Sequence, residues 1–211
     1  MFERGEDFNV IESKLRNPVY GTLKRWRATE KLDGTNIRIY LTKEGGTKIR
    51  GRSDNADIKG DLIDWIQKTM PIEKLKEVLW RPDKEGVINP VEVVMYGEGI
   101  GAGIQKGGGD YSKDKIFVLF DVLVDGKWWL DYDAVIEIAG KLGIRHAPDL
   151  GVMTLGEMIE KVKTGMPSVF AKEMTGTERE AEGIVARPIE TLFDKRMNRV
   201  IIKLKSVDFR H

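Results

Sequence analysis

The segment Glu30-Lys31-Leu32-Asp33-Gly34-Thr35-Asn36 carries residue types that could do chemistry. Lys31 sits between a predicted strand and a tight Asp33-Gly34 turn, which would present its amine into a cleft between two sheets. A lysine amine is a nucleophile only when neutral, so a catalytic one needs burial or nearby cations to lower its pKa. The plain alternative is a solvated lysine beside an ordinary hairpin turn, and Lys-x-Asp-Gly alone is too short to decide. Near the other end, Lys203 and Lys205 flank Leu204 and share one face of a predicted strand. Unaccompanied, such a pair reads as the outward half of an amphipathic edge strand. Likewise Phe120 reads as core in an apolar run, and Glu182-Gly183 as a turn. The glycine-rich segment 99–112 lacks the Gly-Lys-Ser/Thr ending of a Walker A loop, which argues against a P-loop ATPase.

These residues need a scaffold, and the chain can build one. Its 211 residues suffice for a packed core, with 41% hydrophobic and 33% charged residues and no low-complexity tract. Residues 24–52 read as strands around turns at Asp33-Gly34 and Glu44-Gly45-Gly46. Residues 61–70 and 71–80 carry apolar residues at helical spacing, with Pro71 starting the second helix. Strand patterns return at 91–99 and 115–124, the latter turning at Asp125-Gly126 into 127–130. Helical patterns at 132–143 and 154–165 precede strands at 182–188 and 199–206. Strands and helices cluster without strict alternation, which predicts an α+β fold with antiparallel sheets. No Pro- or Ser-rich linker divides the chain, so residues 1–211 are expected to form one compact domain.

Charge and composition exclude several function classes. With 35 basic and 34 acidic residues the net charge is +1, so a nucleic-acid site must be a local concentration of Lys and Arg. There is no Cys, and His146 and His211 are the only histidines, which removes thiol catalysis, disulfides and Cys/His zinc sites. The N-terminal segment lacks a signal-peptide core and no apolar run reaches spanning length, so the expectation is a soluble, cytoplasmic protein without membrane contact.

In order, the chain presents Lys31-x-Asp33-Gly34 followed by Asn36, then Arg52, Glu98 within Tyr96-Gly97-Glu98-Gly99, Phe120-Asp121, Glu182-Gly183-Ile184-Val185 and Lys203-x-Lys205. This series resembles that of the covalent nucleotidyltransferases, the superfamily of DNA and RNA ligases and mRNA capping enzymes. Asn36 and the segment 101–111 are closest to the RNA ligase 2 branch. The resemblance runs from about residue 24 to 208, and six motifs in order are far more specific than one.

The resemblance implies an adenylylation domain of antiparallel sheets flanked by helices, acting as an ATP-dependent RNA ligase of the kind used in RNA repair. Lys31 would attack the α-phosphate of ATP, leaving AMP covalently on Lys31 and releasing pyrophosphate. Lys203 and Lys205 would stabilise the growing phosphate charge and, as like charges, lower the pKa of Lys31. Glu182 would hold a divalent metal, Mg²⁺ or Mn²⁺. Glu98 would accept from a ribose hydroxyl, Phe120 would stack on adenine, and Arg52 would fork onto a phosphate or ribose. Glu30 and Leu32 would line the nucleotide pocket. Asp33 completes the catalytic set, and Asn36 would position phosphate or metal in the sealing steps. The substrate would be nucleic acid with 5′-phosphate and 3′-hydroxyl ends, RNA favoured.

DNA ligases and capping enzymes carry an OB-fold beyond the last lysine motif, and RNA ligase 2 carries a helical domain; neither is expected here. A minimal ligase, a partner protein or domain that supplies the clamp, and a truncated chain are the three arrangements that follow. The competing functions are a minimal DNA or nicked-hybrid ligase and an inactive module that binds nucleic-acid ends. Among the remaining residues, Lys106 reads as a loop lysine or a phosphate contact. One of Trp128 and Trp129 is expected in the core, His146 in a loop or cap, and Lys24-Arg25-Trp26-Arg27 on a solvated face.

Overall fold

The computed structural model describes residues 1–6 and 10–209, apart from the side chain of Ser13; His211 lies outside the described residues. In chain order the elements are β1 (Phe2–Arg4), β2 (Val10–Leu15), α1 (Val19–Thr22), β3 (Trp26–Lys31), β4 (Thr35–Leu41), β5 (Thr47–Arg50), α2 (Gly60–Thr69), α3 (Ile72–Leu79), β6 (Val93–Ile100), β7 (Ile116–Val124), β8 (Trp128–Trp129), α4 (Tyr132–Leu142), β9 (Arg145–His146), β10 (Asp149–Met153), α5 (Leu155–Lys163), α6 (Val169–Thr175), β11 (Gly183–Pro188) and β12 (Ile202–Lys205). The expected α+β class with antiparallel sheets is what the chain forms; among the described residues the one exception is the parallel pairing of β7 with β9. The three sheets stay open, with no pairing that closes a barrel among the described residues. The chain divides into two compact units, Met1–Leu32 with Ala147–His211 and Asp33–His146.

Unit one is built on the sheet β10-β3-β11-β12. One face is apolar: Ala28, Ile184, Ala186, Ile202 and Leu204 pack on Leu155, Met158 and Val162 of α5. The α5 sequence places those three residues at helical spacing, and Thr154 with Glu157 forms a capping box at its start. Trp26 is fully buried, its indole N–H donating to the Leu23 carbonyl at 3.1 Å. Of the basic run that contains it, Arg27 pairs with Asp149 at 2.8 Å, while Lys24 and Arg25 are exposed. The hairpin β1-β2 closes on the same core through Phe2, whose ring meets Phe209 edge-on at 5.8 Å.

Unit two is built on the sheet β5-β4-β6-β7-β8. Alternate residues Ile37, Ile39 and Leu41 of β4, with Val93, Met95, Phe117 and Leu119, face the apolar sides of α2, α3 and α4. Asp125 (φ 49°) and Gly126 (φ 65°) are the central residues of the expected turn, closed by the Lys127 N–H donating to the Val124 carbonyl at 3.0 Å, and β8 follows. Pro71 is the N-cap of α3 and not its first helical residue. Neither tryptophan of β8 is core: Trp128 is 68% exposed and Trp129 is half-buried against the Tyr96 ring at 5.3 Å. A two-residue strand at a sheet edge has no second layer to bury either ring. His146 lies in β9, its Nδ1 3.4 Å from the Tyr132 hydroxyl.

Asp33-Gly34 does not close a hairpin. β3 pairs with β10 and β11, whereas β4 pairs with β5 and β6, so the chain leaves one sheet after Lys31 and enters another at Thr35. Gly34 is required there by crowding: a Cβ would lie 2.3 Å from the Gly99 carbonyl oxygen.

Candidate active site

Strand register assembles the charged cluster of unit one. β11 lies between β3 and β12, and Gly183 stands opposite both Lys31 and Lys205. One step along, Val185 stands opposite Thr29 and Lys203. Directly opposed residues share a face, so Thr29, Lys31, Lys203 and Lys205 project from the side away from the α5 core. With no side chain on Gly183, the two lysines face each other across an empty position. Glu182 fills the gap from the strand end: one carboxylate oxygen accepts from Lys31 Nζ, and the other pairs with Lys205 Nζ at 2.9 Å. Lys31 and Glu182 are 17% and 18% exposed at the side chain and Lys205 45%, so the first pair is shielded and the second is wetter.

Gly183 itself admits no other residue. Its φ is 150°, a region open in practice to glycine, and a Cβ would lie 1.9 Å from the Leu204 carbonyl oxygen. Ser206 then clamps the junction, its N–H donating to the Glu182 carbonyl at 2.9 Å and its hydroxyl to the Ala181 carbonyl at 3.1 Å. The Glu182 carboxylate is therefore aimed by backbone contacts on both sides.

The neighbour of the nucleophile candidate points the other way. Glu30 is 2% exposed, on the face opposite Lys31, and its carboxylate accepts from Ser168 Oγ at 2.5 Å and from the Phe170 N–H at 3.0 Å. Ser168 is also the N-cap of α6, its Oγ accepting from the Ala171 N–H at 3.0 Å. Burial pushes the Glu30 carboxyl above the ordinary range, and the bonds from Ser168 and Phe170 partly offset this. Glu30 thus ties the Lys31 strand to α6 through its side chain. Sequence reasoning passed over α6 and Ser168, although Ser168 and Gly176 bracket the helix as N-cap and left-handed C-cap. Leu32 is buried.

Unit two holds the other candidates. Asn36 of β4 stands opposite Glu98 of β6, both half-buried, on the face away from the helices. Phe120 lies at a bulge, where Leu119 pairs with Gly97 and Asp121 with Tyr96, leaving Phe120 outside the register. It is half-buried between buried neighbours, so it is not plain core. Asp33 is half-buried at the start of the unit. Arg52 is exposed in the segment after β5; Arg38 braces that segment by donating to the Gly51 carbonyl at 2.9 Å and pairing with Asp54 at 2.8 Å. In the glycine-rich loop Gln105 donates to the Gly34 carbonyl at 3.2 Å, and Lys106 is exposed.

Unit one therefore brings together Lys31, Glu182 and Lys205, with Lys203 on the same face; unit two brings together Asn36 and Glu98. As chemistry, the first group is an amine nucleophile candidate with a carboxylate and two further cations, a set suited to a phosphorus centre.

The chain resembles a Naegleria gruberi RNA ligase mutant with ATP and Mn, at 19% identity and a TM-score of 0.67, over 91% of this chain and 52% of that one. The same ligase with PPi matches at 20% identity and a TM-score of 0.66, over 91% and 53%. A mutant with AMP and Mn matches at 19% identity and a TM-score of 0.66, with the same coverage. The chain thus spans about half the length of the solved structures it matches. No curated protein sequence matches it. The family model for RNA ligase matches residues 24–205, nearly all of the stretch that carries the motifs, and the chain belongs to the RNA ligase family.

Proposed function

We propose that this protein is an ATP-dependent RNA ligase that joins 5′-phosphate and 3′-hydroxyl ends through a lysyl-AMP intermediate on Lys31. The observation that carries the reading is the carboxylate of Glu182 shared between Lys31 and Lys205 on one open strand face, in a chain of the RNA ligase family. The presence of ATP, AMP, Mn and PPi in structures of a similar fold supports the choice of nucleotide and metal.

In the first step the Lys31 nitrogen attacks the α-phosphorus of ATP. An N–P bond forms, the bond to the bridging oxygen breaks, and pyrophosphate leaves while the amine loses its proton. Lys31 must part from Glu182 for this, because an ammonium group has no lone pair to offer. Lys203 and Lys205 face the charge that builds on the phosphoryl oxygens. In the second step a 5′-phosphate oxygen displaces Lys31 from the adenylate; in the third a 3′-hydroxyl displaces AMP. Glu98, Phe120 and Arg52 serve the ribose, adenine and a phosphate or ribose, and Asp33 and Asn36 the positioning of reacting groups.

The family implies a divalent cation, and the donor set suits one held jointly with substrate. Glu182 offers hard carboxylate oxygens, and no group of three acidic or histidine residues forms a ready cage among the described residues. Mg²⁺ and Mn²⁺ accept one or two protein carboxylates when phosphate oxygens supply the rest, and the ion would neutralise phosphate charge there. No helix among the described residues is long and apolar enough to cross a membrane.

Incubation with α-labelled ATP and Mg²⁺ or Mn²⁺, followed by a denaturing gel, tests the reading. Acid-labile label on wild type, absent from Lys31→Ala, is the expected result. Label from GTP instead would indicate a capping activity, and no label with either nucleotide would end the ligase reading. Joining assays on RNA, DNA and hybrid nicks would then settle the substrate.

A further inference from the structure

Along the outer edge of β12, within unit one, lies a small pocket of about 160 Å³. Its wall is mostly polar and carries Met1, Arg4, Arg16, Lys203 and Asp208, beside the buried pair Phe2 and Phe209. We propose that Arg4, Arg16 and Lys203 form an oxyanion subsite that receives a phosphate group of the substrate; only the identity of that substrate rests on the ligase reading above.

Four cations, Arg4, Arg16, Lys203 and the Met1 amino group, face one carboxylate across this space. Asp208 is engaged by Arg4 at 2.7 Å, and among the described residues neither Arg16 nor Lys203 makes an ion pair. The core has no need of those charges: Phe2, Val10, Leu204 and Phe209 already seal it. Like charges gathered around one small polar pocket repel one another, and an incoming anion relieves that repulsion. Two guanidinium forks are also the side chains best matched to phosphate oxygens.

The pocket is anchored to the reaction strand. Lys203 is two residues from Lys205, on the same strand face. Arg16 is held by its backbone, its N–H donating to the Met1 carbonyl at 3.0 Å, so replacing its side chain leaves that tie in place. The shared chemistry is a phosphate, from either the pyrophosphate end of ATP or the 5′-phosphate of the RNA.

Arg16→Glu, with Arg16→Ala as the milder change and Arg16→Lys as the rescue, separates these sources. Calorimetry with inorganic pyrophosphate reads the subsite without any catalysis. Filter binding of the adenylylated protein to a nicked RNA duplex, with or without a 5′-phosphate at the nick, reads the second source. An ATP-end subsite weakens pyrophosphate binding about tenfold or more in Arg16→Glu and leaves RNA binding unchanged. An RNA subsite weakens binding of the 5′-phosphorylated nick by that factor, spares the 5′-hydroxyl nick and lowers the salt slope by about one. In either case Arg16→Lys recovers most of the loss. If folded Arg16→Glu and Arg16→Ala bind both probes as wild type does, the subsite is overturned. Failure of Lys31 to take label would leave the pyrophosphate result standing, so the two proposals fall separately.

Discussion

The two faces of the sheet in unit one treat the same residue type in opposite ways. On the open face, Glu182 is half-buried and bridges two lysines; on the core face, Glu30 is sealed under α6 and accepts from a hydroxyl and a backbone N–H. Among the described residues Glu30 has no cation in hydrogen-bond contact, and burial outweighs the nearby Arg179 charge, so its pKa is raised and its bonds to Ser168 and Phe170 hold structure. Glu182 has charge partners and solvent nearby, which leaves it free to exchange them. The lesson is that alternation along β3 sends Glu30 and Lys31, adjacent in sequence, to different tasks.

Breaking the strand that separates Lys31 from Lys205 has the largest expected effect on stability. Gly183→Ala should cost about 3 kcal/mol or more, from a disfavoured φ together with a clash against the Leu204 carbonyl, and urea unfolding measures it. A loss below about 1 kcal/mol would mean that β12 can shift to accommodate a methyl group.

Next comes the core-face glutamate. Glu30→Ala leaves the Ser168 hydroxyl and Phe170 N–H without their acceptor and should cost about 2–4 kcal/mol in the same assay. Glu30→Gln sharpens the comparison through pH. Because the folded protein holds the Glu30 proton more tightly than the unfolded chain does, wild-type stability falls as pH rises from the ordinary value of 4.5 through the higher folded value. Glutamine cannot ionise, so the variant should gain on wild type across that window; a constant difference between their stability curves would contradict the buried-acid account.

The open-face glutamate should behave conversely. Glu182→Ala is expected to cost about 1–2 kcal/mol, since Lys205 stays in water and only the shielded Lys31 loses its partner, yet to reduce adenylate labelling about 100-fold or more. Retained labelling would remove Glu182 from the reaction. Smallest of all, Trp128→Ser should stay within about 0.5 kcal/mol of wild type, because that ring is 68% exposed at a sheet edge.

Much of this arrangement is local and was legible. The period-2 pattern of residues 199–206 puts Lys203 and Lys205 on one face, and Glu182-Gly183 marks the strand start; β12 and β11 realise both. The helical spacings of α2, α3, α4 and α5 were equally plain, as was the Asp125-Gly126 turn. The bulge that sets Phe120 outside its register was not, because a bulge is defined by the partner strand.

What the sequence alone determined is therefore side-chain parity, helix periodicity, turn chemistry and the ordered motifs, all properties of a few neighbouring residues. Only the tertiary structure decided that β3 and β4 part into separate sheets, that β11 inserts beside β3, and that α6 closes over Glu30. Lys31 and Glu182 are 151 residues apart, and nothing within either segment encodes their meeting. Such pairing follows from which apolar faces the whole chain can bury together, and the open face of β3 inherits its chemistry from that choice.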